Sequence, residues 1–315
     1  MTDQAAQDRA LLQLARALRE AGYRFVTPTP LTHSRVNARP ANRRAADLAG
    51  VFGWSRPFTR ERLPDPLFAL METAGVLRER DGDWQSAVRL SSLGEELLLH
   101  SAYPTEAADA VFFGPDTYRF ANALRDYLRR RQAPLRRAVD IGCGSGAGAL
   151  LIARQHPRAQ VLAVDINPAA LRLTRINAAL AGLDNVEARH SDLLGSAEGV
   201  FDLIVANPPY LVDPGERTYR HGGGPLGAGL SLAIVEAAGE RLAPGGTLLL
   251  YTGVAMRANA DPFLACVRER LEGRGLDWRY REMDPDVFGE ELLLEPYTGC
   301  DRIAAVVLEV TRPVG

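Results

Sequence analysis

Three glycines at alternate positions suggest a turn that brings the backbone close to a ligand. They are Gly142, Gly144 and Gly146, and Asp140 precedes them at the end of an apolar run. Glycine allows sharp turns and close approach, and the helix that follows presents its N-terminus to the same place. The G-x-G-x-G spacing differs from the G-x-G-x-x-G fingerprint of dinucleotide enzymes. We expect Asp140 to repel a pyrophosphate and to help hold the ammonium of an amino-acid-bearing cofactor, directly or through water.

Two more acids follow the next two apolar runs. Asp165 ends the second run, 19 residues after Gly146, where an acid can bind the diol of a ribose. Asp192 follows the third run, where a carboxylate can accept a hydrogen bond from the exocyclic amine of adenine. An amino-acid end, a ribose and an adenine together describe S-adenosylmethionine (SAM). The sequence therefore predicts a SAM site.

The fourth apolar run ends in Asn207-Pro208-Pro209-Tyr210. Two prolines fix the backbone after a strand and prevent a helix from forming. They leave the Pro208 carbonyl and the Asn207 side-chain oxygen as two acceptors for one NH2 group, in the crevice where α/β sheets bind ligands. Tyr210 would offer a flat apolar face to a planar substrate. We predict that these three residues are catalytic and that Asn207 also contacts the cofactor.

The elements that must position these residues alternate between strand and helix. Short apolar runs that predict strands occupy 137–141, 160–165, 186–189, 202–206 and 247–252, and helical segments occupy 149–155, 168–181 and 230–242. Such alternation is typical of a parallel sheet covered by helices on both faces. Two last runs, 276–283 and 303–310, have only a loop between them, so we expect them to pair antiparallel. The predicted fold is an α/β, Rossmann-like sheet, mostly parallel, with one antiparallel strand near its edge.

The chain before Pro134 has a different, mainly helical pattern. It predicts helices at 11–21, 42–52, 66–74 and 93–100, an extended connector at 27–40, and a hairpin around Asp81-Gly82-Asp83. The order helix, hairpin, helix resembles a winged-helix module. We favour a dimerisation or substrate-lid role over nucleic-acid contact, because the net charge is low. The predicted domains are 1–110 and 111–315.

Composition narrows the function classes. The chain has 315 residues, of which 46% are apolar and 24% charged, with a net charge of −2. It can bury a core, and it lacks the basic excess usual in an obligate nucleic-acid binder. Three widely spaced cysteines provide neither a disulfide framework nor zinc-ligand spacing, so we expect no metal. We also expect a soluble, cytoplasmic protein, because the N-terminus has no apolar signal region and no apolar run is long enough to cross a bilayer.

The motif Asn207-Pro208-Pro209-Tyr210 resembles the [DNS]-P-P-[YFW] motif of class I SAM-dependent methyltransferases, which methylate glutamine amides or exocyclic base amines. Within that group, Phe113-Gly114-Pro115-Asp116-Thr117-Tyr118, and Gly222-Gly223-Gly224 followed by Gly227 and Gly229, resemble elements of the HemK-type protein-glutamine methyltransferases. The resemblance covers about residues 113 to 310. It implies a glutamine-bearing protein substrate, and it places Thr117 near the methionine end of the cofactor.

The first 110 residues do not resemble the helical substrate domain of the bacterial release-factor enzymes, so two other acceptors stay open. One is adenine or another base in RNA or DNA, which the winged-helix pattern and an arginine cluster at 125, 129, 130, 131, 136 and 137 support. The other is a small molecule, with residues 1–110 as a dimerising lid. His100, His190 and His221 are candidate general bases, although the reaction does not require one. The sequence predicts no oligomeric state.

Overall fold

The computed structural model describes residues 3–258 and 260–315. Its N-terminal part is mainly helical, as predicted, and it also contains two β-hairpins. In chain order the elements are α1 (Gln4–Glu20), α2 (Pro30–Asn37), α3 (Leu48–Phe52), α4 (Asp65–Ala74), β1 (Leu77–Arg80), β2 (Asp83–Ser86), β3 (Val88–Leu93) and β4 (Glu96–Ser101). β1 pairs with β2 across the predicted Asp81-Gly82 turn, and β3 pairs with β4.

Two of the N-terminal predictions are wrong in detail. The stretch 27–40 is not an extended connector, because Thr29 caps α2 by accepting a hydrogen bond from the Thr32 N–H at 3.2 Å and Pro30 begins the helix. A hydroxyl cap followed by proline is a helix start signal. The helix predicted over 42–52 is shorter, because Asp47 caps it and it occupies only Leu48–Phe52.

The helix predicted over 93–100 is also wrong, because this stretch forms the turn and second strand of a hairpin. Gly94 takes a φ of 69° and turns the chain back, and Leu97, Leu98 and Leu99 are all buried. Three consecutive buried leucines suit a strand that is covered on both faces. The helix–hairpin–helix order behind the winged-helix interpretation is therefore replaced by two successive hairpins.

The C-terminal part alternates strands and helices, as predicted. Its elements are α5 (Pro115–Arg130), β5 (Arg137–Ile141), α6 (Ala147–Gln155), β6 (Gln160–Asp165), α7 (Pro168–Ala181), β7 (Val186–His190), β8 (Phe201–Ala206), α8 (Gly229–Arg241), β9 (Leu242–Met256), α9 (Pro262–Leu271), β10 (Asp277–Asp284) and β11 (Arg302–Thr311). Two short 3₁₀ turns, Gly289–Leu293 and Glu295–Tyr297, lie in the connection between β10 and β11.

The strands form a seven-stranded sheet in the order β10-β11-β9-β8-β5-β6-β7. All neighbours from β9 to β7 are parallel, whereas β11 runs antiparallel to both β9 and β10. The prediction of a mostly parallel sheet with one reversed strand near its edge is confirmed. The chain passes from β5 outward to β7 and then crosses back to β8, so β5 and β8 flank the topological switch point. Ligands bind at the carboxyl ends of the strands at such a point.

The N-terminal part packs on helix α7 of the sheet. Leu11, Leu14 and Leu18 of α1 share one buried cluster with Leu173 and Ile176 of α7. The division into domains at residue 110 stays a prediction. Among the residues that the structure describes, no helix combines the length and the hydropathy needed to cross a bilayer.

Asn177 of α7 adds a polar link to this contact. Its side-chain amide exchanges hydrogen bonds with the backbone of Leu99, at 2.8 Å and 3.0 Å. Helix α7 thus pairs with the backbone of β4 in addition to packing against α1.

Candidate active site

A cleft of about 1050 Å³ lies at the carboxyl ends of β5, β6, β7 and β8. We call it the main cleft. The turn after β5 forms its floor, and Gly142, Gly144 and Gly146 take φ values of 67°, 55° and 86° there. These left-handed conformations favour glycine. A Cβ atom at Gly142 or Gly144 would stand in open space, whereas one at Gly146 would lie 2.9 Å from Leu150. The first two line the main cleft, and Gly146 instead starts helix α6.

The carboxylate of Asp165, at the end of β6, faces the glycine turn. It accepts hydrogen bonds from the backbone N–H groups of Gly144 at 3.0 Å and Asn167 at 2.9 Å. Burial raises the pKa of Asp165, while these bonds act in the opposite direction. The residue lines the main cleft where the sequence predicts the ribose site.

Asp140, at the end of β5, is 2% exposed and accepts a hydrogen bond from the Ala149 N–H at 2.9 Å. Burial raises its pKa to about 7, and the neighbouring Asp165 adds to that rise. Asp140 therefore ties the strand end to the first turn of α6, and it also lines the main cleft. Its charge depends on pH in the neutral range.

The chemistry of the lining suits SAM. Asp192 follows β7, is exposed to solvent, and lines the main cleft together with Asp140 and Asp165. Among the described residues that line this cleft, three are aspartates and none is Arg or Lys. A dinucleotide pyrophosphate needs cations or several N–H donors, whereas a ligand with a sulfonium and an ammonium is cationic and suits carboxylates. The residues present therefore fit SAM as cofactor, and the assignment of Asp140 to its amino-acid end and of Asp165 to its ribose stays a prediction.

Thr117 lies in the first turn of α5 and also lines the main cleft. Its hydroxyl oxygen accepts a hydrogen bond from the Gly114 N–H at 3.2 Å, and it is 6% exposed. This contact completes a capping arrangement at the start of the helix. The structure thus places Thr117 on the main cleft, and its position near the methionine end of the cofactor stays a prediction.

Asn207 and Pro208 lie where the main cleft meets a smaller neighbour. This second cavity, of about 430 Å³, shares five lining residues with the main cleft: Phe112, Asn207, Pro208, Pro209 and Tyr219. The Asn207 side chain and the Pro208 carbonyl make no hydrogen bond with any residue in 3–258 or 260–315. Both acceptors are therefore available to a ligand at the junction of the two cavities.

Tyr210 lines the second cavity and not the main cleft. It is 6% exposed, and its ring meets the ring of Phe288 edge to face, with centroids 5.9 Å apart. The hydroxyl donates a hydrogen bond to the buried carboxylate of Asp116. The predicted stacking of a substrate on Tyr210 stays a prediction.

Besides Leu211 and Arg220, sequence reasoning missed four residues that line the second cavity. Phe112 precedes α5, Tyr219 lies in the loop after the Asn-Pro-Pro-Tyr motif, and Phe288 comes from the connection between β10 and β11. The fourth is Asp116, for which a signal existed: an acid in the first turn of a helix that continues a motif already noted. The three aromatic residues carry no such signal, because they are far apart in the sequence.

A short segment from the N-terminal part covers the main cleft. The Tyr219 hydroxyl donates to the Thr105 carbonyl at 2.6 Å, and the Thr218 hydroxyl donates to the Ala108 carbonyl at 2.9 Å. The rings of Phe112 and Tyr219 are nearly parallel, with centroids 6.2 Å apart. Segments 105–112 and 218–219 are therefore joined to each other, and residues 110–112 and 218–219 line the main cleft.

Other candidate residues lie away from the two cavities. His100, His190 and His221 line neither of them, and His100 is fully buried with its pKa held well below the usual range by burial. The arginine cluster is largely engaged internally: Arg129 pairs with Asp126, and Arg130 pairs with Glu309. This pairing leaves less free positive charge for nucleic acid than the sequence suggests.

Comparison with known proteins gives one family and several relatives. Residues 121–260 match the methyltransferase small domain. A release factor glutamine methyltransferase of Deinococcus radiodurans is 36% identical over 197 residues, which are 59% of this chain and 66% of that protein. A 4-amino-L-phenylalanine/4-methylamino-L-phenylalanine methyltransferase of Streptomyces pristinaespiralis is 36% identical over 146 residues, or 41% of this chain and 50% of that one. The chain thus spans just under two thirds of the length of the Deinococcus protein and one half of the length of the Streptomyces protein.

A solved structure supports the fold. The crystal structure of a candidate transferase from Pyrococcus horikoshii matches 78% of this chain and 81% of its own length, with a TM-score of 0.50 and 14% identity. At this identity the similarity concerns the fold alone. The match over residues 121–260 and the relatives therefore support a class I SAM-dependent methyltransferase that resembles the HemK-type enzymes.

Proposed function

We propose that this chain transfers the methyl group of SAM to a planar NH2 nitrogen, and that the acceptor is the side-chain amide of a glutamine in a protein. One observation carries the proposal. Asn207 and Pro208 line both the main cleft and the second cavity, and neither the Asn207 side chain nor the Pro208 carbonyl makes a hydrogen bond with a described residue. An NH2 group that enters through the second cavity would meet these acceptors beside the cofactor.

The acceptor nitrogen needs help because its lone pair is delocalised into the adjacent π-system. SAM would supply an electrophilic methyl on its sulfonium: as the N–C bond formed, the S–C bond would break, S-adenosylhomocysteine would leave, and the nitrogen would lose one proton to water. Asn207 and Pro208 each accept one N–H hydrogen, which favours positive charge on the nitrogen and draws the lone pair toward the methyl. Such preorganised electrostatic stabilisation is worth on the order of 10²-fold or more in rate for a single group. Tyr210, on the wall of the second cavity, limits the orientations of a planar group.

The resemblance to HemK-type enzymes supports glutamine as the acceptor. The Deinococcus relative is named for the release factor glutamine that it methylates, and the Pro115-Asp116-Thr117 element lies at the start of α5 beside both cavities. By analogy we propose a protein partner of the release-factor kind. The region before residue 110 would then contact that partner differently, because it does not resemble the helical substrate domain of those enzymes.

The rings around the second cavity favour a different acceptor, an aromatic primary amine. Four aromatic side chains line this cavity: Phe112, Tyr210, Tyr219 and Phe288. Rings prefer edge-to-face or offset contact with another ring, so the cavity suits a substrate in which NH2 is attached to an aromatic ring. The Streptomyces relative is named for such a substrate.

Transfer of a radioactive methyl group from SAM distinguishes these acceptors. The purified chain is incubated separately with a bacterial release factor, with 4-amino-L-phenylalanine and with mixed tRNA and DNA. Label on a glutamine of the release factor would support the first proposal, and label on the amino acid alone would replace it with the second. Label on nucleic acid alone, or on none of the three, would contradict both.

A further inference from the structure

Asp116 is a buried carboxylate on the wall of the second cavity. It occupies the second position of α5 and is only 4% exposed. It lies 94 residues before Tyr210 in the chain, yet it accepts a hydrogen bond from the Tyr210 hydroxyl. The last residue of the Asn-Pro-Pro-Tyr motif is therefore anchored by a helix outside the motif.

Two further donors converge on the same carboxylate. The Tyr251 hydroxyl, from β9, donates to it at 2.7 Å, and the Arg119 guanidinium donates at 3.1 Å. Arg119 also pairs with Asp284, at the end of β10, at 2.9 Å. Burial raises the pKa of Asp116, and its three donors act against that rise. The carboxylate thus accepts from the Asn-Pro-Pro-Tyr motif, from β9 and from its own helix.

The ring of Tyr210 is held from its other sides as well. Gly253 of β9 lies so close beneath the ring that a Cβ atom there would overlap it. Phe288 contacts it from the connection between β10 and β11. Gly253 and Phe288 therefore pack against the Tyr210 ring, and the hydrogen bond from its hydroxyl to Asp116 fixes the remaining end of the side chain.

We propose that Asp116 is a positioning residue, which fixes Tyr210 through its hydroxyl and so sets the orientation of the acceptor in the second cavity. The inference rests on the proposed function, because it concerns the same transfer. Asp116 acts through Tyr210 and does not exchange a proton with the substrate. A displacement of about 1 Å at a reacting group can cost on the order of 10²-fold in rate. A tilted Tyr210 ring would therefore lower the rate even with the Asn207 side-chain oxygen and the Pro208 carbonyl both intact.

The test compares Asp116→Asn, Tyr210→Phe, the double variant and Tyr251→Phe. Tyr251→Phe is the matched control, because it also removes a phenol donor from Asp116 but lines neither cavity. Methyl transfer is measured on the acceptor that the wild-type chain modifies, and SAM affinity is measured by calorimetry. Proton NMR follows the exchange of the Tyr210 hydroxyl proton in the absence of any acceptor.

We expect kcat to fall on the order of 10²-fold in Asp116→Asn, with unchanged SAM affinity. Tyr251 and Arg119 both donate to Oδ1 and should hold the amide oxygen there, which turns the amide NH2 toward the Tyr210 hydroxyl and removes its acceptor. The fall should be smaller in Tyr251→Phe. The double variant should be no slower than Tyr210→Phe alone, because the proposal has Asp116 act on the acceptor only through the Tyr210 hydroxyl. A wild-type kcat in Asp116→Asn, or two losses that multiply in the double variant, would overturn the inference.

The NMR measurement separates this inference from the proposed function. If the wild-type chain methylates none of the acceptors, the proposed function fails, and the hydroxyl signal still decides whether Asp116 holds Tyr210. A slowly exchanging signal that is lost in Asp116→Asn supports the anchoring. A signal that exchanges rapidly in the wild-type chain contradicts it. If Asp116→Asn loses SAM binding or does not fold, Tyr210→Phe still tests the step, since it keeps the carboxylate, and an unchanged kcat there would overturn the inference.

Discussion

The backbone N–H of Gly144 donates a hydrogen bond to the Asp165 carboxylate at 3.0 Å. This bond ties the glycine turn after β5 to the acid that ends β6. One side chain thus shapes the floor of the main cleft and supplies the acceptor proposed for the ribose diol.

Asp165→Ala should weaken SAM binding sharply. The loss of hydrogen bonds to a charged acceptor costs about 1.5–3 kcal/mol, which corresponds to roughly a 10- to 100-fold rise in Kd. Asp165→Asn keeps one oxygen acceptor and should lose less SAM affinity. Asp184 is an exposed acid outside both cavities, so Asp184→Ala should bind SAM as the wild-type chain does. Calorimetric titration with SAM measures all three. Unchanged affinity in Asp165→Ala would show that the ribose lies elsewhere.

The stability of the SAM-free chain should fall as pH rises toward neutrality. Burial raises the pKa of Asp140 to about 7 from a usual value of 3.8. Between these values the folded chain binds a proton that the unfolded chain does not, so the contribution is fully present below about 4 and is lost as pH rises through about 7. Urea unfolding at a series of pH values measures this. The free energy of unfolding should decrease less steeply with pH in Asp140→Asn, which keeps an oxygen to accept from Ala149. An equally steep decrease would contradict the assignment of this pH dependence to Asp140.

SAM affinity should change with pH in the opposite direction. The cationic ligand is attracted to Asp140 only when the carboxylate is ionised, so Kd should decrease as pH rises through about 7. Calorimetry of the wild-type chain and of Asp140→Asn gives the comparison. A pH dependence that persists in the variant would assign the effect to another group.

Gly253→Ala should reduce turnover without reducing SAM affinity. The new Cβ atom would overlap the Tyr210 ring, and Gly253 does not take a left-handed conformation, so the conflict arises from the ring. Overpacking of this kind costs about 1–3 kcal/mol of stability, and the displaced ring should lower kcat about tenfold or more. Thermal unfolding and initial rates check both effects.

Gly239→Ala is the matched control for that variant. Its Cβ would meet only Leu276 at 3.5 Å, an ordinary contact, and it lies in α8. Equal rates in the two variants would mean that the position of Tyr210 does not control turnover.

Asn207→Ala should abolish turnover while SAM affinity stays within a few-fold of the wild-type value. The variant removes one of two acceptors for the NH2 group, which is worth on the order of 10²-fold or more. Single-turnover rates and calorimetry provide the two readouts. Loss of SAM binding together with activity would indicate that Asn207 supports the fold of the main cleft and not the transfer.

Structural features that depend on local sequence pattern are predicted correctly, whereas features that depend on contacts between residues far apart in the chain are not. Buried strands, their parallel order and the carboxylates at their ends follow from alternation along the chain, and the structure brings Asp140, Asp165 and Asp192 to one cleft. The pattern of 93–100 predicts a helix, whereas the structure has a hairpin turn and a strand there. The strand conformation depends on Gly94 and on Asn177 in the distant helix α7.

The second cavity could not be read from the sequence for the same reason. Phe112, Tyr219 and Phe288 come from three separate connections, and no spacing relates them. Asp116 was visible within a motif, but its bonds to Tyr210 and Tyr251 depend on how α5 packs against β9.

A crystal structure of the chain with S-adenosylhomocysteine and an acceptor bound tests the central claim most directly. The account predicts the cofactor in the main cleft, with the Asn207 side-chain oxygen and the Pro208 carbonyl both accepting from an acceptor NH2 that faces the cofactor sulfur from the second cavity. An acceptor nitrogen bound to neither oxygen, or a cofactor whose sulfur lies away from this junction, would contradict it.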